Sequence, residues 1–191
     1  IIWHWPSGHL DVFERTLDST VLQFANSGLA GNGGMLFYPL QDEMGNEQLF
    51  ASMLGAAVTG NPAVLTPVPH DVVSWKRWHD EHPESTLLGP EEKLKKRYRK
   101  ASPNLYFRTD QIYFPTNSMP SDGTDPKTLV IAVSSGGTEQ VFSLPELLDA
   151  LGDGGEALLN IGETDIVLRV DAHPLCATVR TSTGEPVIST R

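Results

Sequence analysis

The chain has 191 residues, 39% hydrophobic and 20% charged, enough to build one compact domain or two small ones around a core. Fourteen Lys and Arg stand against 24 Asp and Glu, a formal net charge of −10, which sets most of the surface against phosphate and disfavours general nucleic-acid binding. A lone cysteine, Cys176, excludes an internal disulfide and a thiolate-rich zinc site, and no apolar run approaches the ~18 residues of a membrane span.

Seventeen Gly and 14 Pro punctuate short runs, which predicts a β-rich α+β fold: mostly antiparallel sheet with two or three short helices. The opening Ile1-Ile-Trp-His-Trp5 reads as strand, followed by strands over 10–14, 20–25, 35–39, 48–52 and 63–67. Between the second and third of these, the run from Gly28 to Gly34 lacks a following helix and a Gly-Lys-Ser/Thr, so a wide hairpin or bulged turn is favoured over a phosphate loop. A helix is predicted over 70–81, with Val72, Trp75, Trp78 and His82 at helical spacing before Pro83, its tryptophans anchoring the core. A second, over 90–100, has Pro at its start, acids in its first turn and bases in its last. After a strand over 111–114, the polar, turn-rich 116–127 reads as a loop joining sub-units 1–115 and 128–191. Strands over 128–133 and 139–143, a helix over 144–151, and strands over 156–161, 165–170, 175–180 and 186–189 complete the chain.

Two groups of side chains invite a chemical reading. Lys93, Lys95, Lys96, Arg97, Arg99 and Lys100 are six of the 14 bases, and with Glu91 and Glu92 set aside the rest of the chain holds eight bases against 22 acids. Such a stretch is either a contact patch for an acidic partner or a solvated helix face obeying the dipole rule. Histidines offer metal ligands: His4, His9, His70 and His173 if the fold gathers them, and His79-x-x-His82 locally, although no HExxH or Cys/His knuckle is present. The serines lack a Gly-x-Ser-x-Gly elbow, and Cys176 sits in a predicted strand as a small buried hydrophobe. No motif implies a cofactor.

Read in order, His4-Trp5-Pro6-Ser7-Gly8, Phe24-Ala-Asn-Ser27-Gly28-Leu29 and Trp75-x-x-Trp78-x-x-x-His82-Pro83 resemble the motifs of the prokaryotic domain-of-unknown-function family 3179. The family's Cys-Pro-Leu-(Cys/Thr/Ser)-Gly leading into Phe-Asp-Arg is matched by His4-Trp5-Pro6-Ser7-Gly8 and Phe13-Glu14-Arg15. Its Phe-x-x-Ser-Gly-Leu, with a later Asn and Tyr, is matched by Phe24, Ser27, Gly28, Leu29, Asn32 and Tyr38. Its Leu-Trp-Ser-Gln-x-x-Gly-Glu-Ala resembles Leu49 to Ala57, and its Trp-x-x-Trp-x-x-x-His-Pro is matched by Trp75, Trp78, His82 and Pro83. Ser102-Pro103, Tyr106-Phe107-Arg108 and Phe114-Pro115 continue the pattern. Against it, His4 replaces a Cys, Phe50 a Trp, Ala51-Ser52 a Ser-Gln and Ala56 a Glu.

The resemblance therefore implies a divergent member that has lost the family's Cys-Pro-Leu-Cys-type motif and most of its reactive groups, leaving His4 able to ligate a metal. It also implies a duplicated unit, with 1–15 weakly alike 166–180, and a strand-helix unit of roughly 30–40 residues ahead of Ile1. The expectation that follows is a non-catalytic, extracytoplasmic (periplasmic or cell-surface) binding or assembly subunit, with a protein partner or a second copy. The alternatives are a metal-binding protein or metal-dependent enzyme using converging histidines, and a carbohydrate or small-ligand cleft built from Trp3, Trp5 and Tyr38.

Overall fold

The computed structural model describes the chain except residues 5, 41–46, 90, 95–105, 107, 173–174, 188 and 191. Among the described residues it is β-rich, with antiparallel pairing throughout and two α-helices. No helix among them is long and apolar enough to cross a membrane.

The first part of the chain is a set of small hairpins. β1 (Ile2–His4) pairs with β2 (His9–Asp11), and β3 (Thr16–Leu17) with β4 (Thr20–Val21). β5 (Phe24–Gly31), β6 (Gly34–Pro39), β7 (Phe50–Ala51) and β8 (Ala56–Ala57) form one four-stranded sheet in that order. Asn32 and Gly33, at φ 46° and 76°, make the two-residue connection between β5 and β6. Both signs are positive, as a tight hairpin turn following the strand twist requires, and Asn and Gly tolerate them best. A bulge between Asn26 and Ala30 interrupts the β5–β6 pairing, so the glycine run supplies both a bulge and a turn.

Phe37, Phe50 and Leu65 are the buried centre of this part, with Ile2, Phe13, Leu17 and Phe24 packed around them. Phe24 meets Phe37 and Phe50 edge-on at 5.2 and 5.6 Å, while Phe37 and Phe50 stack at 5.5 Å. These offset geometries suit the quadrupoles of the rings.

The later part has the larger core. β9 (Val130–Ser135) and β10 (Thr138–Ser143) form a hairpin joined on the β9 side by β14 (Ser189–Thr190). α2 (Leu144–Leu151) follows directly: the Ser143 hydroxyl accepts the Glu146 amide, Pro145 sits in its first turn, and Gly152 caps its end. β11 (Glu156–Ile161), β12 (Thr164–Ala172) and β13 (Leu175–Thr181) make a second meander. Ile131, Val133, Leu144, Ile161, Ile166, Leu168 and Val179 bury together between these layers, and Cys176 is buried as well.

Several elements depart from the sequence reading. The stretch 111–114 forms no strand, and 63–67 contributes only isolated bridges from Val64 to Ala56 and from Pro67 to Phe13. The two weakly alike stretches are both antiparallel hairpins, but 166–180 is part of a long three-stranded meander, whereas 1–15 is two strands of three residues. A duplicated unit does not emerge from that comparison. Of the expected helix over 90–100, a single 3-10 turn, Glu92–Leu94, lies within the described residues.

The tryptophan helix is corrected in both start and place. α1 (Trp75–Glu81) begins five residues later than expected because Ser74, itself in an extended conformation, caps it by accepting the Arg77 amide. The His70 ring reaches the carbonyls of Val68 and Leu10, and Asp71 pairs with Arg180. The helix buries none of its residues: Trp75 and Trp78 are 42% and 43% exposed, their rings tilted against those of His79 and His82. The face turned toward the body carries Arg77, whose Nη1 donates to Asp171 of β12 at 2.8 Å while its Nε donates to Glu81 at 3.0 Å. Charge pairing, not aromatic burial, docks this helix.

Replacing Arg77 by Ala should therefore lower stability by about 1–3 kcal/mol, since Asp171 is left largely buried with a weaker contact to Arg169. Differential scanning calorimetry should show a midpoint roughly 3–8 °C lower. Lys76→Ala, which removes a pair lying in solvent, should leave the midpoint unchanged. Equal effects from the two would contradict this docking.

Candidate functional site

The β1–β2 hairpin places a polar cluster where apolar burial would be expected. Side chains alternate across a strand, so His9 and Asp11 share one face, and the register sets His4 directly opposite His9. All three are buried. Nε2 of His9 stands 2.9 Å from Oδ2 of Asp11, an ion-pair distance without the alignment of a hydrogen bond. His4 Nδ1 lies 2.8 Å from the Ser7 hydroxyl.

That hydroxyl is also the knot of the hairpin turn. It donates to the His4 carbonyl at 3.2 Å and accepts the His9 amide at 3.4 Å, while Gly8, at φ 68°, turns the chain into β2. Burial, and next the proximity of His9, hold the His4 imidazole below its ordinary pKa of 6.5. His4 is thus mostly neutral at pH 7, with its ring tilted against Phe114 at 5.7 Å. Three titratable side chains thus share this corner of the fold.

Beside the Ser7 turn opens a cavity of about 250 Å³. Its walls come from segments far apart in the chain: Pro6 and Ser7, the Asn32-Gly33 turn, Met53, Tyr106, Ile112 and Phe114, and the stretch 126–130 entering β9. Two hydrogen bonds fasten the hairpin tip to the opposite wall, from the Gly33 amide to the Pro115 carbonyl at 3.0 Å and from the Asn117 amide to Asn32 Oδ1 at 2.8 Å. Behind Met53, Ser52 is buried against Gly34 with its hydroxyl lacking a hydrogen-bond partner among the described residues. In the wall, Lys127 lies 3.9 Å from the centroid of the Tyr106 ring, with its ammonium donating to the carbonyls of Tyr106 and Thr109.

The family model of the protein of unknown function DUF3179 matches residues 7–190. The chain belongs to that family. No curated protein and no solved structure matches it.

In this DUF3179 chain the motif residues fall into distinct places. Ser7 and Asn32 line the cavity, joined by Tyr106 and Phe114 from the later motif segments and by Met53 next to the third. Ser27 and Gly28 build the β5 bulge: Ser27 donates to the Leu36 carbonyl at 2.6 Å and the Gly28 amide meets Asn26 Oδ1 at 2.8 Å. Arg15 lines a separate groove of about 650 Å³ beside β1 and β5. Trp75, Trp78, His82 and Pro83 belong to the surface helix and the turn after it, where Trp78 Nε1 donates to Ser85.

The candidate metal-binding histidines are placed as follows. His4 and His9 are neighbours, but both nitrogens of His70 face backbone carbonyls at 3.0 and 3.1 Å, leaving none for a metal, and His173 lies outside the described residues. Among the described residues no group of three or more His, Cys, Asp or Glu is arranged to hold an ion. Of the basic stretch, Lys93 is exposed in the 3-10 turn, and Lys95, Lys96, Arg97, Arg99 and Lys100 lie outside the described residues. Of the aromatic-cleft residues, Trp3 lines the wide groove, Tyr38 projects from the face of β6 opposite to Phe37, and Trp5 lies outside the described residues. The residues that sequence reading missed are Asp11 and Lys127. The period-two spacing of His9 and Asp11 was the available sign of the first, whereas Lys127 sits in a stretch that reads as a linker.

The depressed pKa of His4 has a definite sign in stability. Folding favours the neutral ring, so its contribution is complete above pH 6.5 and declines as pH falls through the lowered folded value. Urea denaturation should show the protein losing stability from pH 7 to pH 5, and His4→Gln should lose less over that range. Parallel pH profiles would contradict the assignment.

Proposed function

We propose that this DUF3179 protein is a non-catalytic binding subunit whose ligand site is the cavity between the Ser7 turn and the Asn32-Gly33 turn. One observation carries the reading. Residues from or beside five motif segments, separated by up to about a hundred positions, line a single small cavity, while the helix motif stands apart on the surface. Pockets that bind small molecules have this make-up, mostly apolar walls with a few placed polar groups.

The polar groups at the cavity support holding rather than reacting. Ser7 resembles a nucleophile beside a base, but its hydroxyl closes the turn through the His4 carbonyl and the His9 amide. A working triad needs a third group orienting the base, and here Asp11 stands against His9 instead of His4. Incubation with a fluorophosphonate should leave the intact mass unchanged, and a stoichiometric adduct at Ser7 would overturn the non-catalytic reading. In ligand-observed NMR with a fragment library, Ser7→Phe, which fills the cavity from the hairpin side, should abolish binding. Fragments that bind this variant as well as the parent would place the site elsewhere.

A second, compatible reading is assembly with a partner. The early part of the chain has three fully central apolar side chains, yet leaves Trp3, Leu29, Leu54, Val58 and Val64 each more than half exposed. Exposed apolar surface on this scale supports contact with another protein. Native mass spectrometry of untagged protein purified from its source should show a complex; a strictly monomeric species would count against assembly and leave the cavity reading intact.

A further inference from the structure

Charge distinguishes this cavity from the rest of the molecule. The chain carries 24 acidic residues, and each of three other cavities has at least one acid in its wall: Glu14 in the wide groove, Asp11 in a third, and Asp80, Glu81, Asp153 and Asp171 in the cleft beside α1. Among the described residues, the wall of the Ser7–Asn32 cavity has no acid at all and one cation, Lys127.

Among the described residues that cation pairs with no carboxylate. Its ammonium lies over the Tyr106 ring and donates to two backbone carbonyls, which take two of its three N–H groups. The nearest acid in sequence, Asp125, uses Oδ1 to accept the Lys127 backbone amide at 2.8 Å. A half-buried ammonium in a mostly apolar wall is poorly solvated, and an anion placed there gains more than it would on an open surface. The same wall offers further donors, the Thr128 hydroxyl and the Asn32 side-chain amide, whose oxygen is already taken by Asn117. The remaining wall, with Ile112, Phe114, Leu129 and Val130, suits hydrocarbon. The volume of about 250 Å³ corresponds to roughly eight waters.

We infer that the cavity binds a short-chain monocarboxylate, with its carboxylate on Lys127 and its aliphatic tail along Ile112, Phe114, Leu129 and Val130. The inference rests on the binding reading above and names the ligand class for the same site. A dicarboxylate is disfavoured because no second cation lines the described wall, and a phosphate ester because a single ammonium and neutral donors do not match its charge.

Hexanoate, with its neutral isostere hexanamide, tests it on the full chain by isothermal titration. Hexanoate should bind at least ten times more tightly than hexanamide, and its affinity should fall as salt rises. Lys127→Gln should remove that preference. Because this substitution also breaks the tie to Tyr106 and Thr109, Lys127→Arg serves as the partner variant and should retain it. Equal affinity for the two probes overturns the carboxylate inference and leaves a binding cavity. Failure of both to bind, with the protein folded by circular dichroism, overturns the inference and counts against the cavity reading too.

Discussion

The tip of the β5–β6 hairpin is held to the 112–117 segment by two backbone-centred hydrogen bonds, and the cavity exists because of them. Asn32 and Gly33 occupy positive φ, which turns one side-chain oxygen and one amide outward at the same point. Each meets a partner more than eighty residues later in the chain. Without these contacts, the wall that carries Ile112, Phe114 and Thr116 would have no fixed distance from the Ser7 turn. His4 supports the same wall from the other side through its contact with Phe114. A connection that reads as a polar linker thus contributes Thr116, Pro126 and Lys127 to the cavity wall.

The hairpin that supplies Ser7 faces an opposing demand. It buries His4, His9 and Asp11 within eight residues, an expensive arrangement unless the groups compensate one another. Ser7 provides that compensation for His4, and Asp11 for His9. Elsewhere charge pairing acts over longer range: Arg77 with Asp171 and Arg180 with Asp71 fix the segment leading into and through α1 against the C-terminal meander. The exposed tryptophans of α1 are a consequence, since the helix can present only one side to the body and Arg77 claims it.

Local chemistry made part of this legible in the sequence. Ser143, Pro145 and Gly152 mark the ends of α2 by capping and backbone preference, and that helix has the bounds that the residues predict. The Asn-Gly turn and the flanking bulge follow from the same kind of local rule. The family was legible because its motifs survive in order, even where individual residues differ. What was not legible depends on distant pairing. An aromatic stripe at helical spacing does not reveal which side meets the body, and here an acid 94 residues away decides it. Lys127 carries no local sign of its place, because nothing near it in sequence shows that the wall it joins holds no acid among the described residues. Convergence of Ser7, Asn32, Tyr106 and Phe114 required the fold.

The central claim is that this convergence makes the cavity the site of binding. Side-chain methyl NMR, with the full chain titrated by hexanoate, tests it most directly. The account predicts shifts concentrated on Met53, Ile112, Leu129 and Val130, the Met, Ile, Leu and Val residues of its wall. Shifts confined to Ile1, Ile2, Leu22 and Leu65 around the wide groove, with the cavity methyls unmoved, would contradict it.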